Sequence, residues 1–477
     1  MKRLILSVLL LLLCCVPQFA QTAVLPSSQT WLDHLDGGLM KFWNHPDAFG
    51  SPTGAFPTFR CDDGSLLDYK NPCPPNKGNS YLTTPVRSLV ALSRQTYGYG
   101  VAFHMTGNKR YLELMKAGVD YIRANAVDRK DGGMFTSQDP MTGVWGPKME
   151  FRNPQELGYG LLGMAFYYYL TRDPEVLPDI VAIREHIMTR YYRPDVDALG
   201  WVLAPNGGDR PDQLKLVAML DQMNTYHVLL APILPEPHGE LFRWETAKLA
   251  RMIMYNFYSP SQNLFFLNAN GPDDFDISKN GADFGHTAKA MWMIRWAGRI
   301  TGDADLVRFA EDNAPALFER AYLPETGSWA QEVLPRAVIN PDKNWWIYAE
   351  LDQLAATLAL KDRSFARYLP QTYEYWLKYF VDPVYGEVWN GVSAKNNAPI
   401  KDFPKQWQWK NAYHSLEHAL ISYITTTEFE SKPLTLYYAF PQATDLNTVH
   451  PYFYDATRTG VQRLGDGTVA VTFTGIR

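Results

Sequence analysis

The 477 residues hold 45 Lys and Arg against 50 Asp and Glu, a formal charge of −5, and 46% of them are hydrophobic. That apolar share excludes an intrinsically disordered chain. The lack of basic excess excludes a protein dominated by nucleic-acid binding. At roughly 150 residues per domain the length suggests about three domains. The 14% aromatic content fits an aromatic core first and sugar contacts second.

Lys2 and Arg3 precede an apolar run from Leu4 to Val16, followed by Pro17-Gln18-Phe19-Ala20. A positive start, a short apolar segment and a small residue at the cut predict a signal peptide over 1–20 and a periplasmic or secreted protein. The run is short for a membrane span, and no later stretch is apolar for long enough, so no transmembrane segment is expected in the mature chain. Cys14 and Cys15 follow a bulky Leu13, which argues against a lipoprotein signal. The mature chain keeps Cys61 and Cys73, and export makes a disulfide between them the expectation.

A turn then recurs after apolar helical runs. Thr106-Gly107-Asn108 and Thr171-Arg172-Asp173 lie 65 residues apart, and Thr301-Gly302-Asp303 lies twice that distance further on. Breaks at Leu234-Pro235-Glu236-Pro237, Lys361-Asp362-Arg363-Ser364 and Thr425-Thr426-Thr427 complete six. Gly or a polar residue ends one helix there, and Asp, Asn or Ser caps the next. A second punctuation, out of phase, runs through Gly133, Gly200, Asn263, Gly327 and Gly386, with Gly54 as an earlier member. Six αα-hairpins that cannot bury their apolar faces alone must pack against one another. The expected fold is all-α: an (α/α)6 barrel over 21–430, its inner helices being those that precede the six turns. After Glu430 the pattern changes. Leu434 to Phe440 reads as a strand, and Val461 to Phe473 as a hairpin about Gly465-Asp466-Gly467, a small C-terminal β extension over 431–477.

The polar residues of the inner helices are few. Arg94, His227, His286, Glu350 and His414 precede their turns by 9 to 15 residues, near the N-terminal end of each helix. Inner helices of such a ring run in one sense, so these residues should meet at one mouth. Helix dipoles make that mouth favourable to negative charge, which suits chemistry that develops an oxyanion.

Four ordered segments sharpen this reading. SRQTYGYGVAFHMTG places Arg94 a dozen residues before a Thr-Gly turn; FGHTAKAMWMI, DKNWWIYAE and WKNAYHSLEHAL follow. They resemble the motifs of the N-acylglucosamine 2-epimerase superfamily, which includes cellobiose 2-epimerases and aldose–ketose isomerases, over roughly residues 30 to 430. NTYHVLLA is a weaker match, to that family's third-helix motif. The resemblance implies a metal-independent (α/α)6 barrel without cofactor, acting on a mono- or oligosaccharide. It implies proton transfer at the sugar's C1 and C2 by His286 and His414, and stabilisation of an enediolate by Arg94. Substrate contacts are expected from His227, Trp345, Trp346, Glu350, Lys410 and Tyr413. The chemistry stands without the resemblance: a neutral imidazole can remove the acidic C–H beside the carbonyl of an open aldose, and a second group can return the proton.

Two positions depart from the family pattern. Lys289 stands where the family has Glu, and Glu417 where it has Arg, each three residues beyond its histidine and so on the same helix face. The double inversion predicts a Lys289–Glu417 pair, with His286 held neutral and His414 protonated. Two rivals come from the same residues. His414-Ser415-Leu416-Glu417-His418 fits an inverted zinc-peptidase pattern, with Glu428 or Glu430 as a third ligand. Asp221, Asp283 and Glu350 could serve an inverting hydrolase.

Overall fold

A computed structural model describes residues 24–73, 82, 85–146, 152–203, 214–269 and 275–477. The predicted signal segment lies outside the described residues.

Six helices form an inner ring: α2 (Leu89–Thr106), α4 (Pro154–Thr171), α6 (216–230, with a π turn at Met223–His227), α8 (Phe284–Thr301), α10 (Trp345–Ala359) and α12 (Ala412–Phe429). Each packs on the next, and α12 packs on α2, so the ring closes. These helices are apolar nearly all round, and almost every residue of α2, α4 and α12 is buried. A helix without a polar face is stable only when covered on all sides. The cover is an outer layer: α1 (28–43, including a π turn at His34–Leu39), α3 (Lys109–Asn125), α5 (Leu177–Arg190), α7 (His238–Phe257), α9 (Ala304–Ala321) and α11 (369–380). In contrast to the inner ring, α3 and α9 each bury one face only.

The turns predicted at 106–108, 171–173 and 301–303 are tight reversals. Gly107, Arg172 and Gly302 each end their helix in the left-handed conformation, and Asn108 and Asp303 cap the helices that follow. The out-of-phase punctuation marks short β-hairpins that return the chain to the ring, among them Tyr192–Arg193 with Ala198–Leu199 and Tyr322–Leu323 with Ser328–Trp329. Gly54 is the counterpart after α1. It sits at φ 100°, and a Cβ there would lie 2.2 Å from the Ala117 carbonyl oxygen, so only glycine fits.

The sixth hairpin departs from the sequence reading. No outer helix follows α12 in the chain. The N-terminal α1 takes that place, packing on α12 and joining α11 through Trp31 with Tyr373 and Trp376 Nε1 with His34 Nε2. The break near Thr427 instead leads into the β extension. There Leu434–Tyr438, Val469–Thr474 and Thr457–Arg463 form an antiparallel sheet with Val469–Thr474 central. The extension lies across the C-terminal ends of the inner helices. Ala439 N–H donates to Leu170, His104 Nδ1 meets the Tyr437 carbonyl at 2.9 Å, Phe453 stacks on Trp292, and the Tyr454 and Thr357 hydroxyls are 3.0 Å apart. One end of the barrel is thereby closed, and access is left to the end where the inner helices begin.

Among the described residues no helix is long and apolar enough to cross a membrane. Cys61 and Cys73 are joined by a disulfide. For a loop this short the crosslink contributes about 3 kcal/mol in the chain-entropy account. Cys73→Ala is expected to lower the unfolding free energy by about 3 kcal/mol, read as a lower denaturant midpoint, and an unchanged midpoint would show that the bridge adds nothing.

Candidate active site

The inner helices enter the mouth in two alternating ways. Short strands at Arg87–Ser88, Leu214–Lys215 and Lys343–Asn344 lead into α2, α6 and α10. Asn153, Asp283 and Asn411 cap α4, α8 and α12 with their side chains. Each helix then delivers a polar or aromatic side chain within about its first two turns. The result is a cavity of about 190 Å³ lined by Arg94, Gln155, Tyr159, Asp221, His286, Lys289, Trp345, Trp346, Trp409 and His414.

His286 is fixed by its own helix cap. One oxygen of Asp283 accepts from the His286 backbone N–H, and the other lies 2.6 Å from Nδ1. A carboxylate on Nδ1 holds the proton there and leaves Nε2 as the basic atom. The Trp346 ring lies between the two imidazoles, its centroid 4.6 Å from His286 and 6.0 Å from His414.

His414 is deeper. Burial first, then the nearby cations Arg94 and Lys289, push its pKa well below the usual imidazole value. Its Nδ1 lies 3.4 Å from Glu350 and 4.0 Å from Glu417. Burial raises Glu350 to about 8, a shift that Glu417 increases and Lys289 opposes. Burial likewise raises Glu417 to about 7, against the pull of the Tyr452 hydroxyl and Lys289. Two buried carboxyls this close cannot both ionise at low cost, so they share a proton as a pair.

Arg94 is held without being neutralised. Its guanidinium lies 3.8 Å from the Tyr159 ring centroid and donates to the Trp409 carbonyl at 2.7 Å. Among the described residues it makes no carboxylate ion pair, so its charge faces the cavity.

Lys289 does not pair with Glu417. Its ammonium donates to Asp221 at 2.6 Å and lies 3.3 Å from the Tyr159 hydroxyl. Asp221 also accepts from Gln155 and Tyr159. Burial would raise the Asp221 carboxyl, but Lys289 outweighs it and holds the group below its ordinary range. Asp221 projects from α6 at the level of the Lys289 ammonium, and pairing of same-face positions in the sequence could not show that. His414 is correspondingly not held protonated by Glu417, because desolvation and the two cations decide its charge.

Several other expected contacts do not line the cavity. His227 is fully buried and sits outside the cavity, with Nε2 3.1 Å from Glu245, which also binds Arg184. Burial lowers its pKa to about 3. Lys410 is wholly buried and paired with Glu387 at 2.6 Å. Tyr413 lies behind the wall and donates to Asn224. Glu350 also stands behind the wall, accepting from Trp292 and acting on the cavity through His414. Trp345 and Trp346 both line the cavity, although adjacent residues diverge on a helix.

The zinc pattern does not assemble. His418 turns away from His414 and binds Asp352 at 2.9 Å. Glu428 accepts from the Ile476 backbone N–H, and Glu430 binds Ser28. Glu350, His414 and Glu417 could together offer three ligand atoms. Lys289 and Arg94 beside them disfavour further positive charge there. The hydrolase carboxyls are likewise engaged: Asp221 by Lys289, Asp283 by His286, Glu350 by Trp292.

Sequence reasoning missed Gln155, Tyr159, Trp409 and the service of Asp283 to His286. Asp283 stands three residues before His286, a cap spacing that was legible. Trp409 lies inside the WKNAYH segment.

Two imidazoles, two cations and a proton-sharing carboxyl pair at the open mouth of an (α/α)6 barrel define a barrel built for acid–base chemistry on a polar, oxygen-rich substrate. No family model matches the chain. A cellobiose 2-epimerase from Bacteroides fragilis is 23% identical over 350 residues, covering 69% of this chain and 85% of that protein. The structure of cellobiose 2-epimerase from Bacillus thermoamylovorans superposes with a TM-score of 0.69 at 17% identity, covering 83% of this chain and 98% of that one. A D-mannose isomerase structure gives 0.68 at 17%, covering 84% and 98%. The chain is thus similar in sequence to cellobiose 2-epimerases and shares its fold with sugar epimerases and a mannose isomerase.

Two outcomes follow from the pairings. In double-mutant cycles on folding stability, Lys289→Met with Asp221→Asn is expected to couple by about 2 kcal/mol or more, and Lys289→Met with Glu417→Gln by under about 0.5 kcal/mol. The reverse order would restore the pair expected from the sequence. His227→Ala should cost about 2–4 kcal/mol of stability and leave kcat of the folded protein unchanged; a lost kcat in a folded variant would return His227 to the site.

Proposed function

We propose that this protein is a sugar 2-epimerase or aldose–ketose isomerase that works by proton transfer through an enediolate. The observation that carries the reading is the pair of imidazoles on either side of Trp346, one backed by Asp283 and the other by a carboxyl that retains a proton. The similarity to cellobiose 2-epimerases and to a mannose isomerase supports it.

In this reading an open-chain aldose lies in the cavity against Trp346. Nε2 of His286 takes the C2 proton. The C–H electrons form the C1–C2 double bond, and the carbonyl pair moves onto O1. Arg94 and Lys289 stabilise that oxyanion in a partly desolvated site, where fixed charges act most strongly. Nε2–H of His414 then delivers a proton to the opposite face of C2 while Nδ1 takes the proton of Glu350. The C1 carbonyl re-forms and the 2-epimer results. Protonation at C1, with a proton passed from O2 to O1, yields the ketose instead. Glu350 is left ionised opposite Lys289; solvent then carries the proton from His286 to Nε2 of His414, whose Nδ1 proton returns to Glu350. The low pKa of His414 makes it a conduit, with Glu350 as the store. The N-terminal sequence supports export, so the sugars are those met outside the cytoplasm. No step requires a metal.

In heavy water with glucose, mannose or cellobiose, deuterium should enter C2. His286→Ala and His414→Ala should each slow that exchange by at least about a hundredfold, and a chelator should leave the rate unaltered. The rate should fall as pH rises through about 8, because Glu350 then loses its proton. Glu350→Gln should abolish that limb. Undiminished exchange in both histidine variants would overturn the assignment.

A further inference from the structure

The floor of the cavity's carboxyl cluster comes from the C-terminal extension. We propose that Tyr452 of this extension is a positioning residue for the reaction: its hydroxyl holds Glu417 so that Glu417, Glu350 and His414 keep the arrangement through which the proton passes. The inference rests on the enediolate reading and adds a part of the chain that no catalytic motif contains.

Three independent observations place Tyr452 there. The hydroxyl donates to Glu417 Oε1 at 2.8 Å, in the buried interior of the barrel. It lies 2.7 Å from the Tyr97 hydroxyl of α2, which can donate to it and complete a chain Tyr97–Tyr452–Glu417. The backbone of Tyr452 adopts φ 55°, a left-handed conformation costly for an aromatic residue. That conformation is held by the Tyr169 hydroxyl, which accepts from the Tyr452 N–H at 2.8 Å and donates to the His450 carbonyl. A side chain serving only to fill space would not need a strained backbone and a hydroxyl aimed at one carboxyl oxygen.

The groups around Glu417 set the sign of the effect. Tyr452 faces it from the extension, Tyr97 and Arg94 from α2, Lys289 from α8, Glu350 from α10, and Tyr413 and His414 from α12 itself. Tyr454 of the extension also feels its charge. The Tyr452 hydrogen bond favours the ionised form of Glu417 and so opposes burial. Ionised Glu417 in turn helps keep the proton on Glu350. The active arrangement is therefore one proton on the pair, with Glu417 ionised and Glu350 protonated. Loss of the hydroxyl lets Glu417 take up a proton at higher pH, and the acid limb of activity moves upward.

The test is C2 deuterium exchange and steady-state kinetics against pH for the full-length protein, Tyr452→Phe, Tyr97→Phe, Glu417→Gln and Tyr452→Phe with Glu417→Gln. Tyr452→Phe should lower kcat about tenfold with KM little changed, and raise the acid limb by about half a unit to one unit. Tyr97→Phe should shift the limb the same way by less, which keeps the test open if Tyr452→Phe folds poorly. In the Glu417→Gln background Tyr452→Phe should produce no further shift. A folded Tyr452→Phe or Tyr97→Phe variant with lower thermal stability but a wild-type pH profile would make the contact purely structural and overturn the proposal. Absence of exchange in the wild-type protein would overturn the enediolate reading itself, a separate outcome.

Discussion

Six inner helices with almost no polar face are the constraint on which the structure rests. Such helices can be stable only when covered on every side, and a closed double ring covers them with short connections. Because each inner helix is followed by an outer one running back, all six inner helices point the same way. Their N-termini share a mouth, and any polar side chain in the first two turns must meet its counterparts there. The candidate site thus follows from packing: Arg94, Tyr159, Asp221, His286, Trp346 and His414 come from six different helices and meet because the ring closes.

The same closure makes charge a collective property. Within the cavity no ionisable group is governed by one neighbour. Lys289 finds its carboxylate in Asp221, from a different helix. Burial, then the fields of Arg94 and Lys289, lower the pKa of His414, and the same cations temper the shifts of Glu350 and Glu417. The proposed enediolate chemistry needs one basic atom, one deliverable proton and cations beside the developing oxyanion. The cavity retains all three with its charges redistributed.

The C-terminal extension closes the end of the barrel opposite the mouth, and its reach is deeper than a cover requires. Phe453 and Tyr454 pack among the inner helices, and Tyr452 meets the carboxyl pair from below. The carboxyl pair beside the cavity and the closed end of the barrel are therefore linked through the buried hydroxyls of Tyr97 and Tyr452.

Much of this was legible in the chain alone. The repeat of the Thr-Gly-Asn type of turn, the apolar helices before it and the spaced histidines were enough for the barrel, its mouth and the meeting of His286, His414 and Arg94 at one cavity, because helix periodicity and capping are local physics. The Asp-Gly turn likewise marked the terminal hairpin. Other features depended on contacts between residues far apart in sequence. That α1 completes the sixth hairpin, that Lys289 meets Asp221, that His227 and Lys410 serve buried ion pairs, and that Tyr452 touches Glu417 are all set by ring closure, and their partners lie from 18 to several hundred residues away. Local pattern tells which face of a helix a side chain occupies. Only the closed tertiary structure decides what stands opposite that face, and with it the charge each group carries.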